Sequence, residues 1–327
     1  MKAERVIHII HKKVVSAKVF QELDYGTQVM PTLLLSKLYY LLYPKFLIFR
    51  LRVLFWMRKD SILVYQMAKV GSSTVVASLK ASPFNGFICH THFLSEKGLQ
   101  FLTNSFEKTY DSLDECPIEL RQHLLESYFL SKKVGKVSSR PQKYKVVTLV
   151  RDPIATNISG FFQNADLWLP ELKEQRQLDS MEIKQLIERF FEEYPHEVPL
   201  TWFDSELKRV FDIDVFASEF PKSKGYHIYE GKRAEVLLLR LENLSQCANE
   251  AFKIFLNIDD FVLSNANDSS NKEYASIYNE LKKSIDIPDS YFDLMYNSKY
   301  AQHFYSSKEL GAFKANWCKE KGQKAFG

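Results

Sequence analysis

Four cysteines in 327 residues, Cys89, Cys116, Cys247 and Cys318, are too few and too scattered for a disulfide framework. None forms the C-x-x-C pair of a zinc or redox site, so a reducing compartment is the simpler setting. Glycine and proline number only 11 each, which excludes a fibrous or low-complexity chain. No strong charge of one sign is present either: 44 basic residues against 40 acidic ones leave a formal charge of +4. Phosphate-backbone binders concentrate a larger excess, so no nucleic-acid partner is expected, while a local basic site for a small polyanion stays open. Nowhere does an uncharged apolar run reach the roughly 20 residues that a spanning helix needs. The most apolar stretch, 32–58, is broken by Lys37, Lys45, Arg50, Arg52 and Pro44. The order of a signal peptide (basic start, apolar middle, small-residue cleavage site) is also missing.

What is present describes a globular chain. Hydrophobic residues make up 46% and charged residues 26%, with 25 Phe and 17 Tyr, enough to bury a substantial core. Residues 1–60 form a helical N-terminal segment, with two readings. It packs on the rest of the protein with its cations snorkelling outward, or it lies on a membrane surface as an amphipathic helix. From residue 61 onward the pattern changes to short apolar runs alternating with helical stretches. Ser61–Gln66, Phe87–Phe93, Lys145–Val150 and Glu235–Leu241 read as strands. Thr74–Ala81, Ile118–Leu130, Met181–Tyr194 and Trp202–Phe211 read as helices. Such alternation predicts an α/β layer fold with a mainly parallel sheet over 61–327, and in that class ligands bind beyond the carboxyl ends of the strands.

Two polar segments fall at such ends. Lys69-Val70-Gly71-Ser72-Ser73-Thr74 lies between a strand and a helix. Gly71 lacks the Cβ that keeps a phosphate from the backbone, the amides at a helix start favour an anion, and Lys69 adds a full positive charge. A helix cap beside a surface lysine accounts for the same residues. The lysine precedes the glycine, so the Walker spacing G-x-x-x-x-G-K-[ST] is absent, which argues against an ordinary ATPase or GTPase. The second segment, Arg151-Asp152-Pro153 through Ser159, follows the strand KVVTLV. Asp152 is a natural N-cap and Pro153 a natural first helical residue. Arg151 offers a bidentate phosphate contact, and Ser159 lies about two turns along the helix. Alone, this segment also fits an ordinary Arg–Asp turn.

Together, strand–K-x-G-S-S-T–helix followed by strand–R-D-P-x-x-x-x-x-S-x-F, ending on Phe161, resembles the sulfotransferases that use 3′-phosphoadenosine 5′-phosphosulfate (PAPS). The match spans about residues 61–165, and Val236–Leu244 (VLLLRLENL) is similar to a later strand and acidic turn of these enzymes. The resemblance implies a P-loop-NTPase-like three-layer fold. It also implies that Lys69, Val70, Gly71, Ser72, Ser73 and Thr74 hold the 5′-phosphosulfate while Arg151 and Ser159 hold the 3′-phosphate. WFDSELKRVF, KGYHIYE and YAQHFYSSKEL resemble a group of bacterial proteins named for capsular polysaccharide synthesis, which implies a carbohydrate acceptor. PAPS is then the co-substrate, and no metal is called for.

Sulfuryl transfer needs a base for the acceptor hydroxyl, and an imidazole near its ordinary pKa of about 6.5 suits that role. His90 and His92, two apart in FICHTHF, would share one strand face. The pair resembles the H-x-H segment of uronyl 2-O-sulfotransferases, which matches His92 to the base and leaves His90 in reserve. Backbone-satisfied histidines are the plain alternative, and a zinc site lacks an evident third ligand. Tyr300, His303 and Tyr305 form an aromatic, polar cluster that has two readings, closure over donor or acceptor and the more common one of core packing. A non-catalytic nucleotide-binding protein of polysaccharide assembly and an ATP-dependent phosphotransferase are the competing functions. Asn157 opens an N-glycosylation sequon inside the proposed 3′-phosphate segment, where a glycan would obstruct the site. A cytoplasmic location, or one on the cytoplasmic membrane face, is therefore expected.

Overall fold

The computed structural model describes residues 46–49, 51–53, 61–109, 118–135, 143–163, 180–264, 282 and 284–322. Most of the apolar stretch 32–58 lies outside them; its described part is helical, with Leu47 and Leu51 buried and Phe46 and Phe49 exposed. No described helix is long and apolar enough to cross a membrane.

The chain divides into two units, 1–61 with 93–141, and 62–92 with 142–327. In the first, helices α2 (Glu96–Thr109) and α3 (Ile118–Gly135) pair through Phe106 and Leu124, and Thr103 Oγ1 lies 3.0 Å from Tyr128 Oη. The second unit follows the order β1 (Ser61–Tyr65), α1 (Ser72–Ala81), β2 (Phe87–Thr91), β3 (Tyr144–Val150), α4 (Pro153–Gln163), α5 (Ser180–Glu193) and α6 (Val198–Trp202). A π-helical turn (Phe203–Lys208) continues α6 into the short α7 (Arg209–Phe211). Then come β4 (Tyr226–Glu230), β5 (Ala234–Arg240), a 3-10 turn (Leu241–Asn243), α8 (Leu244–Leu256), α9 (Asp289–Tyr296), α10 (Lys299–Phe304) and α11 (Ser307–Gly322).

The five strands form one sheet in the order β2-β1-β3-β5-β4. β3 runs parallel to both β1 and β5, with Val147 opposite Val64 and Leu237. β4 joins antiparallel to β5 through a hairpin. The β-branched and leucine-rich runs of β1, β3 and β5 are almost wholly buried, as interior parallel strands must be when both faces are covered. On one face Tyr65 packs edge-on against Trp202 and Phe211, placing the α6–α7 stretch there. The π turn carries Glu206 inward, 1% exposed, where its carboxylate accepts the Tyr65 hydroxyl.

The connection after β1 leads outward to β2, whereas the chain after β3 departs to the other side, toward β5 and β4. The crevice between the carboxyl ends of β1 and β3 is therefore a topological switch point, where open α/β sheets bind ligands.

Candidate functional site

From the β1 side, the chain leaves the sheet at Gln66 and turns sharply. Lys69 sits at φ +68° and Gly71 at φ +95°, both left-handed. A lysine there is strained, and such strain persists where the surroundings over-determine it, often at ligand sites. Gly71 caps α1, whose first backbone bond runs from Val75 N–H to Gly71 O at 3.4 Å. The N–H groups of Ser72, Ser73 and Thr74 thus precede any intrahelical acceptor and sit at the positive end of the helix dipole. Ser72 is buried, Thr74 half-buried and Ser73 exposed, while Val70 is buried in the core.

From the β3 side, Asp152 caps α4 as its residue type predicts, its Oδ1 accepting Ile154 N–H at 3.1 Å. Arg151, half-buried, reaches across the crevice so that Nη1 donates to Lys69 O at 2.9 Å. One turn and a half into α4, Ser159 is half-buried and Gly160 comes close to the β1 loop. A Cβ at Gly160 would lie 3.8 Å from Lys69 Cγ and 2.2 Å from Tyr194 Oη. The lysine stem and a tyrosine from the end of α5 thus share the space that a side chain would take. Phe161 turns away into the core, edge-on to Phe190 and Tyr194. The two cationic turns predicted from the sequence thus meet at the switch point.

His92 stands beside it, just past β2, which ends at Thr91 and not at Phe93 as the apolar run suggests. The carbonyls that would continue the strand are taken: Thr91 O accepts Gln66 N–H at 3.3 Å, and His92 O accepts Trp202 Nε1–H at 2.9 Å. His92 Nδ1 lies 2.8 Å from Gln66 O. A carbonyl only accepts, so Nδ1 carries the proton and Nε2 keeps its lone pair, the tautomer of a base. Burial holds the His92 pKa below its ordinary 6.5, with the Gln66 carbonyl opposing and the Lys69 charge reinforcing that direction. His90 remains close, its ring edge-on to His92 with centroids 4.9 Å apart.

Behind Arg151 lies a support whose role no sequence pattern assigned. Tyr300 Oη accepts Arg151 N–H at 3.1 Å and donates to Arg151 O at 2.9 Å. Glu242 Oε1 accepts Asp152 N–H at 2.8 Å, and its Oε2 accepts the Tyr305 hydroxyl at 3.1 Å. Trp317 Nε1 donates to Asp152 Oδ2 at 3.3 Å. Burial raises the Asp152 pKa to about 6 and also raises that of Glu242. Of the tail cluster, Tyr300 and Tyr305 are thus fully buried struts of the site, whereas His303 packs among Phe216, Phe220 and Phe304. Asn157 is 1% exposed and its amide donates to His196 O and Tyr291 Oη, so its side chain is enclosed in the fold.

The crevice suits a phosphorylated ligand in two respects: a backbone cradle without a Cβ at Gly71, and two cations of which one is the bidentate kind. Close by, the Gln66 side-chain amide is fully buried and finds no hydrogen-bond partner among the described residues. No group of three or more metal-ligating side chains occurs among those residues.

Fold and site together describe an α/β protein whose two cationic turns meet at the switch point of a mainly parallel sheet. A family model described as "Putative capsular polysaccharide synthesis protein" matches residues 171–306. That span begins after both cationic turns and holds α5 through α10, including Tyr194, Glu242, Tyr300 and Tyr305. No curated protein and no solved structure matches the chain.

Proposed function

We propose that this protein is a PAPS-dependent sulfotransferase of P-loop-like architecture whose acceptor is a saccharide hydroxyl. One observation carries the reading: Arg151 Nη1 lies 2.9 Å from Lys69 O, so the turns suited to the 5′-phosphosulfate and the 3′-phosphate line a single crevice. The loop amides of 71–74 and Lys69 hold the 5′ end, and Arg151 with Ser159 holds the 3′-phosphate. His92 Nε2 takes the proton of the acceptor hydroxyl as its oxygen bonds to sulfur. The bond between sulfur and the 5′-phosphate oxygen breaks, and Lys69 neutralises the charge left on that phosphate. The products are a sulfate ester, adenosine 3′,5′-bisphosphate and a proton that His92 releases to solvent. Catalysis is mostly positioning and electrostatics, as in phosphoryl transfer. The saccharide acceptor is supported by the family match over 171–306.

The test is incubation of the full chain with PAPS labelled in its sulfuryl group and a panel of capsular and surface glycans. Label is expected in at least one glycan, and His92→Ala should lower transfer by about 10²–10⁴-fold with nucleotide affinity retained. Tight binding of adenosine 3′,5′-bisphosphate without transfer to any glycan would favour a binding module. Failure to bind that nucleotide at all would remove the proposal.

A further inference from the structure

The β3 ladder ends at Val150, paired with Arg240, so the backbone of Arg151 has no strand to satisfy it. One side chain meets both needs, since the Tyr300 hydroxyl binds Arg151 N–H and Arg151 O together. The next N–H, of Asp152, goes to Glu242. Glu242 is steadied by Tyr305, whose ring carries the Arg240 guanidinium at 4.6 Å. Tyr300 is itself fully buried, with its ring near-parallel to Phe203 and edge-on to Phe304. Two consecutive residues are thus held by side chains from two separate later segments of the second unit, while the Arg151 guanidinium reaches Lys69 O.

We propose that Tyr300 and Glu242 are positioning residues that aim the Arg151 guanidinium and thereby set selectivity for a 3′-phosphorylated nucleotide. This rests on the reading that Arg151 receives the 3′-phosphate. A guanidinium binds phosphate through a rigid fork, so a small rotation of its backbone anchor loses the paired contacts and not merely some charge. An acceptor or donor deleted beneath Arg151 therefore acts on one end of the ligand only. A role in folding alone would weaken all nucleotide binding equally or leave it unchanged.

Calorimetric titration of the full chain with adenosine 3′,5′-bisphosphate and with adenosine 5′-monophosphate separates these cases. Wild type should prefer the bisphosphate, and Arg151→Lys should abolish most of that preference. Tyr300→Phe keeps the buried ring and should weaken the bisphosphate about tenfold while shifting the monophosphate by less than about twofold. Glu242→Gln keeps an acceptor for Asp152 N–H and should retain the preference, whereas Glu242→Ala should lose it. The Glu242 pair decides the matter if Tyr300→Phe does not fold, as checked by its circular dichroism melt. Equal losses for both nucleotides, or none, in variants that fold would overturn the inference and leave the sulfotransferase reading standing. A wild type that shows no preference for the 3′-phosphate would overturn both.

Discussion

A methyl group at position 71 would meet Leu241 Cδ1 at 2.6 Å on a backbone held at φ +95°. Gly71→Ala should therefore cost about 1–2 kcal/mol, read as a lowered urea midpoint, and narrow the anion cradle as Leu241 shifts. His92 makes a second prediction at this scale. Burial, and then the Lys69 charge against the opposing Gln66 carbonyl, keep its imidazole neutral below pH 6.5. As the base of the proposed transfer His92 works when neutral, so the acid limb of the rate should fall below 6.5. In Lys69→Met the His92 resonances, followed by NMR, should titrate at higher pH than in wild type because one of the lowering causes is gone. An unmoved titration would separate Lys69 from His92.

At the scale of elements, β5 is joined to α11 by the ion pair of Arg240 with Glu309. Arg240 is 1% exposed and also donates to Lys222 O at 3.0 Å. Although burial alone would raise the Glu309 carboxyl, hydrogen bonds from Arg240 and Ser306 hold it at about 2. Glu309→Ala strands a buried guanidinium and should cost on the order of 3 kcal/mol in chemical denaturation. The elements themselves were largely legible. The runs 61–66, 145–150 and 235–241 are mostly apolar, and the structure makes them β1, β3 and β5 with ends shifted by a residue. Pro153 after Asp152 marked the start of α4 because both residues act locally. The helix expected over Trp202–Phe211 is interrupted by a π turn, since Glu206 faces the distant Tyr65, a demand that no local pattern expresses.

For the molecule as a whole, the buried Asp152 makes stability depend on pH in an unusual direction. Its pKa rises from 3.8 to about 6 on folding, mainly through burial. The folded state therefore binds more protons between those values, and stability from the protonated acid is complete below 3.8 and lost as pH rises through about 6. The contribution is about 3 kcal/mol. Melting temperatures of Asp152→Asn should fall less steeply than those of wild type from pH 4 to pH 7. Equal slopes would show that Asp152 ionises as freely in the fold as out of it.

Local chemistry in the chain determined the α/β alternation, the cationic turns at 69–74 and 151–159 and the H-x-H pair, because each depends on neighbours within a few residues. Only the tertiary structure decided that Lys69 and Arg151 share one crevice and that Trp202 anchors His92. It alone made struts of Tyr300, Tyr305 and Trp317 for a turn some 150 residues earlier. Those contacts join positions with no sequence relation, and a buried tyrosine that holds a site has the same local pattern as one that only fills the core.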